Sequence, residues 1–261
     1  MSKDKIQLGG TAHTPEDVEL LHGLGLQFAE IPISDPEKFS SHKAYYKTLK
    51  EKLGIFYLSH GPREGDPNDI KALKNIYLPK LRHILSIMPE LDMKLLTVHL
   101  WLDPRFVSED AISYKIGLLE RLIVRAEALG ITICLENLSE TATHLTRAFN
   151  VLSLLYLTLD IGHAQLLSEE NTSFGFMERY PERIRHIHIH DNLGGDSPKD
   201  DLHLPVGEGI IDFEKIVKEL NVIGYNGTIS LELKPWEIKK CLGHVKQVFK
   251  KAEKGTAERL G

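Results

Sequence analysis

Eight times along the chain a short apolar run rich in β-branched residues gives way to a longer segment of helical period. The runs fall at residues 6–9, 27–33, 55–60, 95–101, 131–137, 156–160, 184–190 and 228–233. Strands separated by helices do not pair as tight hairpins; each helix is a crossover that returns the chain parallel to its start. Eight parallel strands are a number that closes a barrel, and 261 residues is near the length that one such barrel requires. The expected fold is a single (β/α)8 barrel, a TIM barrel, with one domain over residues 1–261. An open doubly wound sheet is the alternative that the same alternation permits.

The intervening segments carry helix signals with a physical basis. Thr14-Pro15-Glu16-Asp17 supplies a hydroxyl cap, a proline preset for the first turn, and acids at the positive end of the helix dipole. Ser108-Glu109-Asp110 repeats the device before a stripe of Ile112, Ile116, Leu119, Leu122, Ile123 and Ala126, and Gly130 is placed to end that helix. Asp212 opens a helix over 213–220, and a closing helix runs on from Trp236. The segment 164–179 has only a poor helical pattern.

Composition narrows the class. The net charge of −5 offers no basic face for nucleic acid. Two cysteines, Cys134 and Cys241, are far apart and form no CxxC pair, which disfavours a thiolate zinc site and fits a reducing compartment. No run approaches membrane-spanning length and the first ten residues lack a signal-peptide core, so a cytoplasmic protein is expected. Thirteen histidines are the one compositional oddity.

Their positions carry more weight than their number. In a closed α/β barrel the active site forms at the C-terminal ends of the strands. The third and fourth runs end in His60 and His99, the fifth in Glu136, and the sixth in Asp160-Ile161-Gly162-His163. The seventh ends in His186-Ile187-His188-Ile189-His190, followed by Asp201 and His203 in the next loop, and the eighth ends in Glu232. Six consecutive strands thus deliver a metal-capable group at one end. Strand alternation puts His186, His188 and His190 on one face, read as the barrel interior. Glu136 and Glu232 lie in runs too apolar to hold a bare charge. Imidazole with carboxylate suits Zn²⁺, Mn²⁺, Fe²⁺ or Co²⁺. His22, His83 and His244 fall within helices and read as surface or packing residues, and the stretch 191–196 reads as solvated loop.

With these residues in view, the chain resembles the xylose isomerase-like barrel superfamily, which includes sugar isomerases and epimerases, inosose-processing enzymes and endonuclease IV. The resemblance covers nearly the whole chain. It is strongest in 131–233, where Asp201-Leu202-His203-Leu204-Pro205-Val206-Gly207-Glu208-Gly209 joins the Glu136, Asp160–His163 and His188 motifs. In the sugar branch, the resemblance implies one divalent metal held by Glu136, Asp160, His188 and Glu232. In the endonuclease IV branch it implies three zinc ions: His60 and His99 with Glu136, then Glu136 with Asp160, His188 and Glu232, then His163 with Asp201 and His203. His190 departs from that branch, which has asparagine there, and is read as a substrate contact or alternative ligand. One to three divalent ions per chain, Zn²⁺ or Mn²⁺, are therefore expected.

Two chemistries follow. A metal-dependent isomerase or epimerase would use Glu136 and Glu232 as its acid–base pair on a small sugar or sugar phosphate. Trp101 is then placed to pack on the sugar, and Arg63, Arg105 and Lys234 to meet a phosphate. The alternative is an endonuclease IV-like phosphodiesterase that uses a two- or three-metal cluster. Loop charge ranks DNA as a substrate second, though the complete ligand set favours the hydrolase: residues 191–209 hold Asp191, Asp196, Asp200, Asp201 and Glu208 against Lys199 alone, and the preceding mouth loops add Glu140, Glu169 and Glu170. DNA binding draws most of its affinity from Lys and Arg on phosphates. A small carbohydrate or sugar phosphate is the expected substrate, with DNA disfavoured and a small phosphodiester left open.

Overall fold

The computed structural model describes residues 6–257, so both ends of the 1–261 span lie outside it. Eight parallel strands close into a barrel in sequence order: β1 Gln7–Thr11, β2 Phe28–Pro32, β3 Phe56–His60, β4 Leu95–Val98, β5 Thr132–Glu136, β6 Leu155–Asp160, β7 Ile184–Ile189 and β8 Thr228–Leu231. The open sheet is excluded, because β1 pairs with β8 from Gln7 beside Thr228 to Gly10 beside Leu231.

The helices form where their caps are. Thr14 accepts from the Asp17 N–H while Asp17 accepts from the Thr14 N–H, a reciprocal cap on helix Pro15–Gly23. Ser108 caps Glu109–Glu127 and Asp212 caps Phe213–Val222. Gly130 takes a φ of 66° between helix Glu109–Glu127 and β5, in the left-handed region that glycine tolerates. The poorly patterned segment yields a 3-10 turn at His163–Gln165 and a short helix at Ser173–Arg179. Among the described residues no helix is long and apolar enough to cross a membrane.

Most buried apolar residues lie between the strands and the helix layer. A second, smaller cluster plugs the lower barrel interior: Phe28, Leu58, Leu95 and Cys134, with Phe56 and Tyr156 against it. The rings of Phe28 and Phe56 stack with centroids 5.2 Å apart. Gly9 leaves room for this plug, since a Cβ there would meet the Phe28 ring at 2.5 Å. Above it the interior turns polar, with the Thr97 and Thr158 hydroxyls 2.8 Å apart.

Candidate metal centre at the barrel mouth

Two residues further along the same strand faces the interior becomes ionic. Glu136, at the end of β5, is the centre of the arrangement and is buried. Its Oε2 lies 2.6 Å from His99 Nε2 and 3.2 Å from His60 Nε2, and its Oε1 lies 3.2 Å from His188 Nδ1 and 3.4 Å from His163 Nδ1. Glu232, one residue past β8, brings Oε1 to 3.6 Å from His188 Nδ1 and 3.7 Å from His60 Nε2. Asp160 places Oδ2 3.7 Å from His188 Nδ1, so all three carboxylates meet around one imidazole. The Asn137 side chain holds the ends of β5 and β6 together, accepting from the Asp160 N–H at 2.8 Å and donating to the Asp160 carbonyl at 2.9 Å.

A second cluster adjoins the first. His163 Nε2 lies 3.4 Å from Asp201 Oδ2, and His203 Nε2 lies 3.3 Å from Asp201 Oδ1. All nine residues matched to metal ligands are therefore brought to one end of the barrel, and His190 lies among them.

Electrostatics explains how so many charges share one place. Burial by itself would raise the Glu136 carboxyl, yet the facing imidazoles, His99 foremost and then His188, hold it well below the usual carboxylate range. Asp160 is held down in the same way against its burial, by His163 and His190. In return, although burial opposes the charged imidazole, hydrogen bonding and attraction to Glu136 push His60 up to about 9, and Asp201 pushes His203 up to about 9. The attraction that draws protons onto these imidazoles is equally available to a divalent cation set among the carboxylates.

Three observations show that the residues fit such an ion. Asp160 Oδ2, Asp201 Oδ1 and both ring nitrogens of His190 are buried without a hydrogen-bond partner, a costly state unless something ligates them. Imidazole orientation is fixed from behind: His60, His163 and His203 place Nδ1 against the carbonyls of Gly61, Asn137 and Glu232 at 2.9, 3.1 and 3.0 Å, which leaves each Nε2 facing the cluster. The donors are nitrogen and oxygen only, as the four- and five-coordinate transition ions prefer.

Sequence reasoning missed one member. Glu30 of β2 is buried at the barrel axis, with Oε1 3.1 Å from His188 Nε2 and Oε2 3.1 Å from His186 Nε2. Despite burial, these two imidazoles hold its carboxyl well below the usual range. His188 thus turns Nδ1 to the mouth and Nε2 to a carboxylate, the arrangement that orients many metal-binding histidines. The signal was present: an acid inside the apolar run 28–32 is the same anomaly that singled out Glu136.

Over the clusters lies a cavity of about 370 Å³. Arg63 and Lys234 line it together with His60, His99, His163, His203 and Glu232. The structure does not place Trp101 and Arg105 there. The Trp101 indole donates to Ser139 Oγ at 2.7 Å and stacks on Phe106, while Arg105 Nε binds Asp103 Oδ1 at 3.0 Å and Nη2 donates to the Ser139 carbonyl at 2.7 Å. Both brace the loops after β4 and β5. His190 is fully buried below the cavity, with Nε2 3.3 Å from Asp160 Oδ1.

The mouth loops differ from their reading as solvated acid. Asp191 and Asn192 are fully buried. Asp191 accepts from the N–H groups of Asn192, Gly207 and Ile211, and the Asn192 amide donates to the Gly162 carbonyl at 2.7 Å. Glu140 is also buried; it accepts from the N–H groups of Leu102, Leu138 and Ser139, and burial pushes its carboxyl up. These acids organise the loops by accepting from backbone N–H groups.

Comparison with known proteins places this architecture. Two uncharacterized proteins of Methanocaldococcus jannaschii are each 28% identical, one over 208 residues (73% of this chain and 68% of that protein) and one over 187 residues (69% and 71%). The crystal structure of a D-tagatose 3-epimerase-like protein superposes with a TM-score of 0.83 at 23% identity, covering 96% of this chain and all of the other. An L-ribulose 3-epimerase superposes at 0.76 with 17% identity, covering 100% and 98%, and a 3-keto-D-glucoside 4-epimerase from E. coli at 0.74 with 18% identity, covering 93% and 100%. At these identities the likeness is one of fold. A sequence profile of one family matches residues 18–251, and on that match the chain belongs to the xylose isomerase-like TIM barrels.

Proposed function

We propose that the chain is a divalent-metal-dependent isomerase or epimerase acting on a small sugar or sugar phosphate. The observation that carries this reading is the pair Glu136 and Glu232. They approach from β5 and β8, meet the same imidazoles of His60 and His188, and lie beneath a cavity of about 370 Å³. Such a volume suits a small ligand. The epimerases that share the fold act on sugars by name, which supports the same class here.

Glu136, Asp160, His188 and Glu232 would hold the ion, which when bound supplies a Lewis acid for negative charge developing on a substrate oxygen. The chain's own groups do the rest. Glu232 presents its carboxylate to the cavity and is placed to take or return a proton at a carbon beside the carbonyl. Glu136, held ionised by His99 and His188, is buried beneath the cavity and off its lining, and would serve as the second acid–base group from the ion's inner side. Arg63 and Lys234 flank the opening, where a hydroxyl or phosphate of the substrate would end. Asn137 and Glu30 keep Asp160 and His188 in register.

One observation favours a second reading, hydrolysis of a small phosphoester. Glu136 is 1% exposed and touches four imidazoles, as a carboxylate shared between ions would. Metal-replete protein incubated in D₂O with ketoses, ketose phosphates and small phosphodiesters separates the two. Deuterium entering the sugar carbon, lost in Glu232→Gln, is the expected result. Phosphodiester cleavage without any exchange overturns the isomerase reading.

A further inference from the structure

His190 is a buried histidine that neither reading uses. It is 0% exposed, and neither ring nitrogen has a hydrogen-bond partner. Asp160 Oδ1 lies 3.3 Å from Nε2 but not in hydrogen-bonding geometry, so the ring gives up hydrogen bonds that a bound ion would replace. The surroundings are built to admit the ring: Gly162 lies so close that a Cβ there would come within 2.1–2.4 Å of it. On its other face the ring stacks on His203, with centroids 3.8 Å apart and planes 9° from parallel.

That stacking carries His190 Nε2 toward the second cluster. It lies 3.9 Å from Asp201 Oδ1, an atom that is itself buried and unpartnered. His203 Nε2 lies 3.3 Å from the same oxygen, and His163 Nε2 lies 3.4 Å from the other, Oδ2. Ligand atoms bound tetrahedrally to zinc at ~2.0–2.1 Å stand about 3.3–3.4 Å from one another. One atom from each of His163, His190, Asp201 and His203 lies within 4.8 Å of the others, so modest side-chain shifts would bring all four onto one ion. His163 and His203 have Nδ1 against backbone carbonyls, so their Nε2 atoms are the free ones.

We propose that His190 is the fourth ligand of a closed site, formed with His163, Asp201 and His203, that holds a second divalent ion in a structural role. The proposal rests on the metal-dependent reading above and divides the mouth by task. Four ligands that hold an ion tetrahedrally leave no position for substrate, which is the mark of a structural site; the ion among Glu136, Asp160, His188 and Glu232, also held by four groups, would act only by expanding its coordination to admit a substrate oxygen. The closed site would join the end of β6, the end of β7 and the loop that carries Asp201 and His203. It also acts on its neighbour: His203 Nδ1 lies 3.0 Å from the Glu232 carbonyl, so fixing His203 fixes the residue that offers its carboxylate to the cavity. His203 adopts a φ of 47°, a left-handed conformation that a non-glycine residue keeps only when held. Two bound ions per chain would then be compatible with proton transfer at one of them, and would be no sign of hydrolysis.

The test is to strip the full chain with a chelator and titrate it with Co²⁺ while following visible absorption. Four-coordinate Co²⁺ absorbs strongly and higher-coordinate Co²⁺ weakly. The wild type is expected to take up one ion with the intense spectrum. His190→Asn should lose that spectrum, and the affinity for that ion should fall by more than the ~10–100-fold that loss of an outer-shell partner costs. An unchanged spectrum and affinity in His190→Asn overturn the proposal. Should the variant not fold, anomalous diffraction from zinc-loaded wild-type crystals decides: an ion bonded to all four residues supports it, and an ion there that His190 does not touch overturns it. A chain that binds no ion anywhere overturns the isomerase reading as well. A chain that binds only at Glu136, Asp160, His188 and Glu232 overturns this proposal and leaves that reading standing.

Discussion

The floor and the mouth of the barrel are built from the same strands and the same inward-facing positions, two residues apart. Phe28 precedes Glu30, Leu58 precedes His60, and Cys134 precedes Glu136. On one level the side chains are apolar and stack without any polar demand. On the next they are imidazoles and carboxylates, each of which needs a partner of opposite character. The contrast teaches that closing the barrel does not require the ionic level, since the apolar plug and the outer helix layer already bury the strands on both faces. The ionic level is a cost that the lower level supports, as expected of groups retained for function.

Substitutions at each level can break this division. The largest effect is expected for Glu136→Gln, which should slow proton exchange by roughly 10²–10⁴-fold, as loss of an acid–base group does. Deuterium incorporation followed by NMR reads it, and a loss below tenfold would remove Glu136 from the chemistry. Next comes Phe28→Ala at the floor, expected to destabilise the fold by ~3–5 kcal/mol in urea unfolding. Metal stoichiometry of the folded protein should not change; if it falls, the two levels are not separable. Glu30→Gln, between them, should weaken the ion held by His188 by ~10–100-fold in a competition titration, through loss of its orienting carboxylate. Equal affinity would show that the β7 backbone alone sets that imidazole. Smallest is Lys43→Ala, which removes an exposed pair with Glu90 remote from both levels and should cost ~0.2–1 kcal/mol. A larger loss would mean that the outer surface matters more than either level.

Much of this was legible in the sequence because two periodicities reinforce each other. The strand runs stand out through β-branched content, and the period of two then predicts which of their residues meet inside. Strand ends were less legible, because they depend on a neighbour's length. β4 stops at Val98, where β3 offers only Ser59 and His60 as partners, so His99 and Trp101 lie past the sheet and not within it. Arg105 reads as free charge because nothing in a sequence reveals that Asp103 will hold it. Asp191 reads as solvent-facing because its three N–H donors come from residues up to 20 positions away. Glu30 needed a partner 156 residues distant to explain it. Local chemistry names the candidates, and long-range geometry assigns them their work.

The aromatic plug also has a kinetic consequence. With Phe28, Phe56 and Tyr156 packed across the lower interior, the axis of the barrel offers no rear exit, and molecules reach the ionic cluster from the cavity side. On the isomerase reading proposed above, product would depart by the route along which the next substrate arrives, and product should then act as a competitive inhibitor in initial-rate measurements.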